Sequence, residues 1–443
     1  MNTPVLSRRD FLKNAGLAGG LLILPSGFLR GANAPSNRIN VACVGVGGQG
    51  AGDSTAIARC GTKVIGICDV DSRRLQAAHK RSFKDAKAFA DYREMFDKLG
   101  KDIDAVSVTI PDHMHFSVAY AAVQLGKHVY VQKPLTHTVD QTRRLAKLAA
   151  EKGIVSQMGN QGNSRPQIRT LREWYEAGLF GEVTEVLAWT NRPVWPQGKD
   201  AYNPEKPTPK NLNWDLWLGC SEKIPYRDGL HSFAWRGYYA FGCGALGDMA
   251  AHVLNPANYI LGLGLPTKIE VKVSGKSPVA FPNSSSITFY FPKTDRRGPI
   301  KLTWLDGVPR DKQPPEARGL NDGSGSYFKA SDFSFGTGEN GDRIVTFPSE
   351  KQKQFLDKKV PQKYARVPDA NHYRNWVDAI RNGKKAVSDF AYSGPFSEVM
   401  LLGVIAQRLG RSLEWDPAKG EFINDAEANR LVKAPPAREG FLS

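Results

Sequence analysis

The sequence predicts an α/β protein with a doubly wound parallel sheet in its N-terminal part and a second α/β unit behind it. Three observations carry this. Asn40–Val44 is a short, mostly apolar run that leads directly into glycines at 45, 47, 48 and 50. From there to Gln157, strand-like apolar runs alternate with helical stretches, the pattern of βαβ units and a parallel sheet. Beyond Gly181 the alternation stops. Val183–Thr190, Lys268–Ser274, Ser286–Phe291, Lys301–Trp304 and Ile344–Phe347 then read as strands of an antiparallel or mixed sheet. A chain of 443 residues also exceeds what one hydrophobic core usually supports, so two domains are expected.

The stretch Val41–Gly50, VACVGVGGQG, organises the first part. Gly45, Gly47 and Gly50 fall in the pattern G-x-G-x-x-G, and Ala51–Arg59 reads as the helix that follows. The first glycine makes a tight strand-to-helix turn, the second lets a pyrophosphate approach the backbone, and the third lets helix and strand pack closely. Gly48 and Gln49 belong to the same turn. A pyrophosphate would sit at the helix N-terminus, where unpaired N–H groups and the dipole favour an anion. Lys63–Cys68 reads as the second strand and ends at Asp69, close to the ~20-residue spacing of a carboxylate that binds the adenosine ribose. These features together mark a Rossmann-type dinucleotide site. A carboxylate at Asp69 repels a 2′-phosphate, so NAD is expected over NADP, although Arg73 and Arg74 follow closely.

Ser72–Asp85 and Met95–Leu99 read as helical. Asp104–Ile110 is a strand ending in Pro111-Asp112-His113-Met114-His115, and His115–Leu125 is the next helix. His128–Gln132 is a strand ending in Lys133-Pro134, followed by a helix over Asp140–Glu151 and a strand over Ile154–Gln157. Ligands of such sheets bind at the carboxyl ends of the strands, so Asp69, Pro111, His115 and Lys133 should converge on one crevice. Asp322–Gly341, rich in glycine and serine, reads as a mobile loop, and Ser397–Leu409 as the last helix.

Residues 1–34 read as an export signal. Ser7-Arg8-Arg9-Asp10-Phe11-Leu12-Lys13 carries an arginine pair, Ala15–Leu29 is uncharged, and Ala32-Asn33-Ala34 has the form of a cleavage site. The uncharged run falls short of the ~18–20 residues needed to span a bilayer, and no later segment is apolar enough. This matches bacterial twin-arginine (Tat) signals and implies the Tat machinery as a partner and a periplasmic location. The net charge of +16 raises the question of nucleic acid, but the charges are scattered, with no recognition helix or zinc spacing, so no nucleic-acid partner is expected. The five cysteines have no metal-ligand spacing, and neither a disulfide nor a metal site is expected.

Asp248 and His252 lie at i and i+4 and share one face of a helix that follows a glycine-rich start, Phe241–Gly247. Here the chain resembles the Gfo/Idh/MocA oxidoreductases, a family that includes glucose–fructose oxidoreductase and inositol dehydrogenase. The matching motifs are GVGGQG, the acid after the second strand, the PDHMH turn, the QKP turn and the GDMAAH segment. The resemblance implies an N-terminal Rossmann sheet plus a C-terminal α/β domain with a large, mostly antiparallel open sheet. The expected division is a signal at 1–34, a nucleotide domain at 35–157 and a substrate and oligomerisation domain at 158–443, the last helix packing back on the first domain. It implies a homo-oligomer, a sugar or sugar-derived substrate and tightly held NAD. Lys133, Asp248 and His252 take the catalytic roles, with His252 as general base near its ordinary pKa of about 6.5. Gly45, Gly47, Gly48, Gln49, Gly50, Asp69, Pro111, His115 and Lys133 take the cofactor roles. The family's usual Glu-Lys-Pro is here Gln132-Lys133-Pro134, which leaves the glutamate's part unfilled. Among Trp195, Trp214, Trp217, Trp235, Tyr238 and Tyr239, Trp235 with its neighbour Arg236 is the favoured substrate contact. His113, His128, His231 and His372 are expected to be structural. A glycoside-cleaving cycle of oxidation, elimination, hydration and reduction, as in the family's α-N-acetylgalactosaminidase branch, is the alternative activity, and a non-catalytic sugar-binding module a weaker one.

Replacing Arg8 and Arg9 together by lysine should leave the protein folded in the cytoplasm. Cell fractionation that still finds it exported would show that the arginine pair is not the signal.

Overall fold

The structure is a computed structural model that describes residues 38–443, apart from 310, 312, 314, 317–319, 321 and 322. The arginine pair and the cleavage site lie outside the described residues, as does Asp322. In the first part, β1 (Asn40–Val44), α1 (Gln49–Arg59), β2 (Lys63–Cys68), α2 (Ser72–Arg81), β3 (Lys87–Phe89), α3 (Tyr92–Leu99), β4 (Ala105–Val108), α4 (Asp112–Gln124), β5 (His128–Val131), α5 (Val139–Glu151) and β6 (Ser156–Met158) alternate. The six strands pair in parallel in the order β3-β2-β1-β4-β5-β6. Helices cover both faces, so β4 is buried along its whole length and β1 and β5 at all but their first residue. Asp71, Asp91 and Thr138 cap α2, α3 and α5 with their side chains. The strand order reverses between β1 and β4, which opens a crevice at their carboxyl ends.

The second part holds α6 (Pro166–Glu176), β7 (Val183–Trp189), α7 (Trp214–Leu218), α8 (Gly244–Val253) and α9 (Asn255–Leu261). Next come β8 (Lys268–Ser274), β9 (Ser284–Phe291), β10 (Ile300–Asp306), β11 (Gly325–Ala330), β12 (Ser334–Gly338) and β13 (Val345–Phe347). The remaining elements are α10 (Lys351–Asp357), α11 (His372–Asn382), α12 (Phe390–Leu409), β14 (Leu413–Asp416), β15 (Glu421–Phe422) and α13 (Ala426–Val432). The strands form a nine-stranded sheet in the order β13-β12-β11-β7-β10-β9-β8-β14-β15. It is antiparallel except where β10 runs parallel to β7.

Helix α12 joins the two sheets, packing on α5, α8 and β8. A Cβ added at Gly394 would stand 3.3 Å from the Ala146 methyl, so α12 and α5 approach closely. Arg143 closes the contact with a fork to Glu398 at 2.8 and 2.6 Å. Helix α11 packs on α1, with Trp376 and Val377 buried against Val41, Cys43 and Ile57.

Two expectations fail. The glycine- and serine-rich stretch is no loop: its described residues form the β11–β12 hairpin, with Gly325 opposite Gly338 and Phe328 opposite Phe335. Its inward positions include small polar residues, Ser326 and Thr337, whose hydroxyls pair with each other at 2.9 Å, so no apolar alternation shows in the sequence. Helix α12 starts at Phe390 rather than Ser397, because Ser393-Gly394-Pro395 reads as a breaker, and α13 follows it.

Phe335 is fully buried between Phe328 at 4.4 Å and Phe180 at 4.1 Å, ring centre to ring centre. Phe335→Ala should destabilise the protein by about 3–5 kcal/mol, the cost of a large cavity in a packed core. Urea unfolding measures it. A change within about 0.5 kcal/mol, normal for an exposed site, would show that the hairpin is not part of the core.

Candidate active site

The glycine turn is built as a cradle. A Cβ at Gly45 (φ +82°) would stand 2.0 Å from the Thr109 carbonyl oxygen, and one at Gly50 2.1 Å from that of Gly45, so only glycine fits at either place. Helix α1 then starts with no side-chain cap and no acid in its first turn, so its free N–H groups and positive end are open to an anion. Asp69 ends β2, its carboxylate held by the N–H groups of Val46 at 3.1 Å and Asp71 at 2.9 Å. Burial pushes its pKa up, against those two bonds. A cleft of about 500 Å³ runs from Asp69 and Tyr92, past Gly45, Gly47, Gly48, Gln49 and Gly50, to His252. The tight glycines, uncapped helix and buried carboxylate fit a dinucleotide.

Pro111 lines this cleft, but His115 does not. Its Nδ1 stands 2.7 Å from the Pro134 carbonyl and its Nε2 2.8 Å from that of Ile110, so the ring sits between the turns after β4 and β5 and, when neutral, donates its one N–H to one of them. The sequence places it correctly at the strand ends, but its polar atoms are already used.

Gln132 finds its reason in Asp53. That carboxylate, fully buried on α1, accepts from Gln49 at 2.7 Å, Thr109 at 2.9 Å, Gln132 at 2.9 Å and Tyr373 at 2.7 Å. The other end of the Gln132 amide accepts from the Lys133 N–H at 3.2 Å. A glutamate at 132 would face a second buried carboxylate. The amide therefore serves Asp53 and the backbone of the Lys133 turn together.

At the far end, Asp248 and His252 of α8 line the cleft together with Lys133 from the turn after β5. Lys133 Nζ lies 2.5 Å from Asp248 Oδ1. Arg236 Nη1 stands 3.2 Å from both Asp248 and Asp112, and the Asp112 carboxylate also accepts the Cys243 N–H at 3.0 Å. Burial alone would raise the Asp248 pKa, but Arg236 and Lys133 outweigh it and hold the carboxyl well below the usual range. Burial, then the charge of Lys133, pushes His252 down to about 3, so the expectation of a value near 6.5 does not hold. The imidazole is neutral at physiological pH, and its buried Nδ1 has no partner. The cluster thus presents an ammonium, a neutral imidazole and an ionised carboxylate, the equipment to bind a hydroxyl and move its proton.

Trp235 and Arg236 both line the cleft, with the guanidinium 4.2 Å from the indole ring centre. Trp195 and Trp217 also line it. Trp214, Tyr238 and Tyr239 do not: Trp214 stacks on Trp217 at 4.6 Å, Tyr238 packs on Tyr202 and Tyr239 on Phe281. His231, expected to be purely structural, lines the cleft with Nε2 3.1 Å from Asp71. No sequence signal marks it, because it sits in an aperiodic segment that meets the rest only through the fold.

Gln132→Glu should cost about 1–3 kcal/mol by putting an acid where Asp53 needs a donor. The added carboxyl would have its pKa raised in the folded state, so the loss should grow as pH rises from 5 to 8. Asp53→Asn in the same chain should restore most of it. Thermal melts of Gln132→Glu that match wild type at pH 8 would refute this account.

The sequence matches the family model for the oxidoreductase family NAD-binding Rossmann fold over residues 39–160, and that for the same family's C-terminal α/β domain over 168–298 and 329–442. Levoglucosan dehydrogenase from Pseudarthrobacter phenanthrenivorans is 26% identical over 188 residues, 42% of this chain and 40% of that enzyme. A glycosyl hydrolase family 109 protein from Solibacter usitatus is 29% identical over 201 residues, 40% of this chain and 44% of that protein. The chain thus spans less than half the length of these curated relatives. Among solved structures, the WlbA dehydrogenase of Bordetella pertussis, in complex with NADH and UDP-GlcNAcA, superposes with a TM-score of 0.60 at 16% identity, over 86% of this chain and 99% of that one. At that identity the likeness speaks for the fold. With both family models matched over most of its length, the chain belongs to the Gfo/Idh/MocA family of NAD-binding oxidoreductases.

Proposed function

We propose that the protein oxidises or reduces a carbinol of a sugar or sugar-derived substrate, using NAD held in the cleft. The observation that carries this is the meeting of Lys133, Asp248 and His252, from two different domains, at the end of the cleft that starts in the glycine cradle. Family membership and sugar-related relatives, levoglucosan dehydrogenase among them, support the substrate class. Bound NAD would supply the redox chemistry, as acceptor or donor of a hydride. The glycine turn and the N-terminus of α1 would hold its pyrophosphate, and Asp69 its ribose. In the oxidative direction, neutral His252 takes the proton of the substrate hydroxyl. The Lys133 ammonium stabilises negative charge that develops on that oxygen, and Asp248 holds the ammonium in place. Trp235 and Arg236 form the side of the pocket nearest this cluster.

The family 109 relative favours one alternative, a glycosidase cycle in which oxidation and reduction cancel. Release of the aglycone from a nitrophenyl glycoside, with no net change in NADH, would identify it. The arginine pair supports export to the periplasm by the Tat route, where a retained cofactor would have to be regenerated on each turnover. Assembly into a homo-oligomer belongs to the same reading.

The test is single-turnover reduction of bound NAD across a panel of sugars. His252→Ala should slow it by about 10²–10⁴, the usual loss of a general base, and Lys133→Met by about 10²–10³ through lost charge stabilisation. Both variants should retain NAD. Because the imidazole is held at about 3, the acid limb of wild-type activity should fall below pH 5, not near 6.5. Variants that reduce the cofactor at wild-type rate would refute the assignment.

A further inference from the structure

The cleft has an adenosine end, marked by Asp69 on β2 and by the corner where β3 turns into α3. Tyr92 of α3 and Met114 and Val118 of α4 line it there, and so does Phe441, which comes from far outside the nucleotide domain in sequence. The segment 438–443 lies along this corner and is tied down at several points. Arg93 donates to the Gly440 carbonyl at 3.0 Å, with its guanidinium 4.3 Å from the centre of the Phe441 ring. Asp91 in turn fixes Arg93 at 2.6 Å. The Ser117 hydroxyl donates to the Leu442 carbonyl, and Arg144 donates to that of Ser443 at 2.6 Å. Arg438 donates to the carbonyls of Gly219 and Asp215 at 2.8 and 2.7 Å.

Phe441 packs on the edge of the main core. Phe441 is fastened on both sides in sequence yet stays partly exposed, with its ring on the cleft. The Arg93 and Arg438 guanidiniums lie over the ring, 4.3 and 5.4 Å from its centre, and the part of it left on the cleft gives a planar base an aromatic surface to pack against.

We propose that Phe441 is a cofactor-binding residue, the wall of the adenine subsite, and that residues 438–443 form a strap that holds the adenosine half of NAD. The role rests on the reading of the cleft as the NAD site. It gives the strap a task separate from chemistry: it slows cofactor loss and leaves the Lys133 end untouched.

The experiment is calorimetric titration of the full chain, freed of bound nucleotide, with AMP, NAD and nicotinamide mononucleotide, which lacks the adenosine half. Wild type should bind AMP and NAD. Phe441→Ala should weaken both by about 10-fold, within the range for removing an aromatic that stacks on a base, and leave the mononucleotide unchanged. Phe441→Tyr should restore AMP affinity. Displacement of NADH by excess NAD, read by its fluorescence, should be about 10-fold faster from Phe441→Ala. AMP bound equally by Phe441→Ala and wild type would overturn the proposal, as would an equal loss of AMP and mononucleotide, which indicates general damage. Wild-type protein that binds neither AMP nor NAD would overturn the cofactor reading itself, and this role with it.

Discussion

The ionic cluster of Lys133, Asp248, Arg236 and Asp112 is the interaction on which the rest of the molecule depends. Two carboxylates and two cations are taken largely out of water, and each is tolerable only because the others are present. Lys133 and Asp112 belong to the parallel sheet and its helices, whereas Asp248 and Arg236 belong to the second part of the chain. Bringing them within bonding distance fixes the relation of the two parts at the point where chemistry is expected. The Asp112 carboxylate does this twice, receiving the Cys243 N–H at the start of α8 and pairing with Arg236. Such a cluster is poor evidence for stability, but it leaves very little freedom in position.

The segment between β7 and α8 has the same consequence on the nucleotide side. It has little periodicity, yet it reaches back to the turn after β2. Leu212 bridges to Asp71, the Asn211 side chain and His231 both reach the Asp71 carboxylate, and the Asn213 N–H bonds to Val70. Asp71 is thereby held down at about 2: burial would raise it, but the bonds from Asn211, His231 and Arg73 outweigh that. A capping residue of α2 has become a docking point for a segment more than a hundred residues away. The cleft is thus covered by a part of the chain with few regular elements of its own.

The sequence made legible what depends on local chemistry. The glycine turn, Asp69, the strand ends and the Asp248–His252 face are short patterns, and each constrains its own backbone. What it hid depends on distant partners. Gln132 looked like a lost glutamate until Asp53 stood opposite it. His115 looked like a cleft residue because its place on the strand end is visible, while the two carbonyls that occupy its ring are not. His252 kept its ordinary basicity on paper, since burial and the nearness of Lys133 exist only in three dimensions. The β11–β12 hairpin escaped because glycine, serine and threonine fill inward positions, where hydroxyl pairs replace the apolar alternation that normally reveals a strand.

Helix α11 lies more than two hundred residues after the last strand of the parallel sheet, yet it completes that sheet's outer layer. Trp376 and Val377 cover Val41, Cys43 and Ile57, and Tyr373 supplies one of the four donors to Asp53 beneath the glycine turn. A ribosome making this chain therefore releases the glycine turn, both neighbouring strands and Asp69 long before the helix that seals them. Until α11 emerges, the back of the nucleotide fold has an open apolar face and Asp53 lacks one of its four donors. The outer layer of the parallel sheet beside the glycine turn is therefore complete only once residues 372–382 have been made.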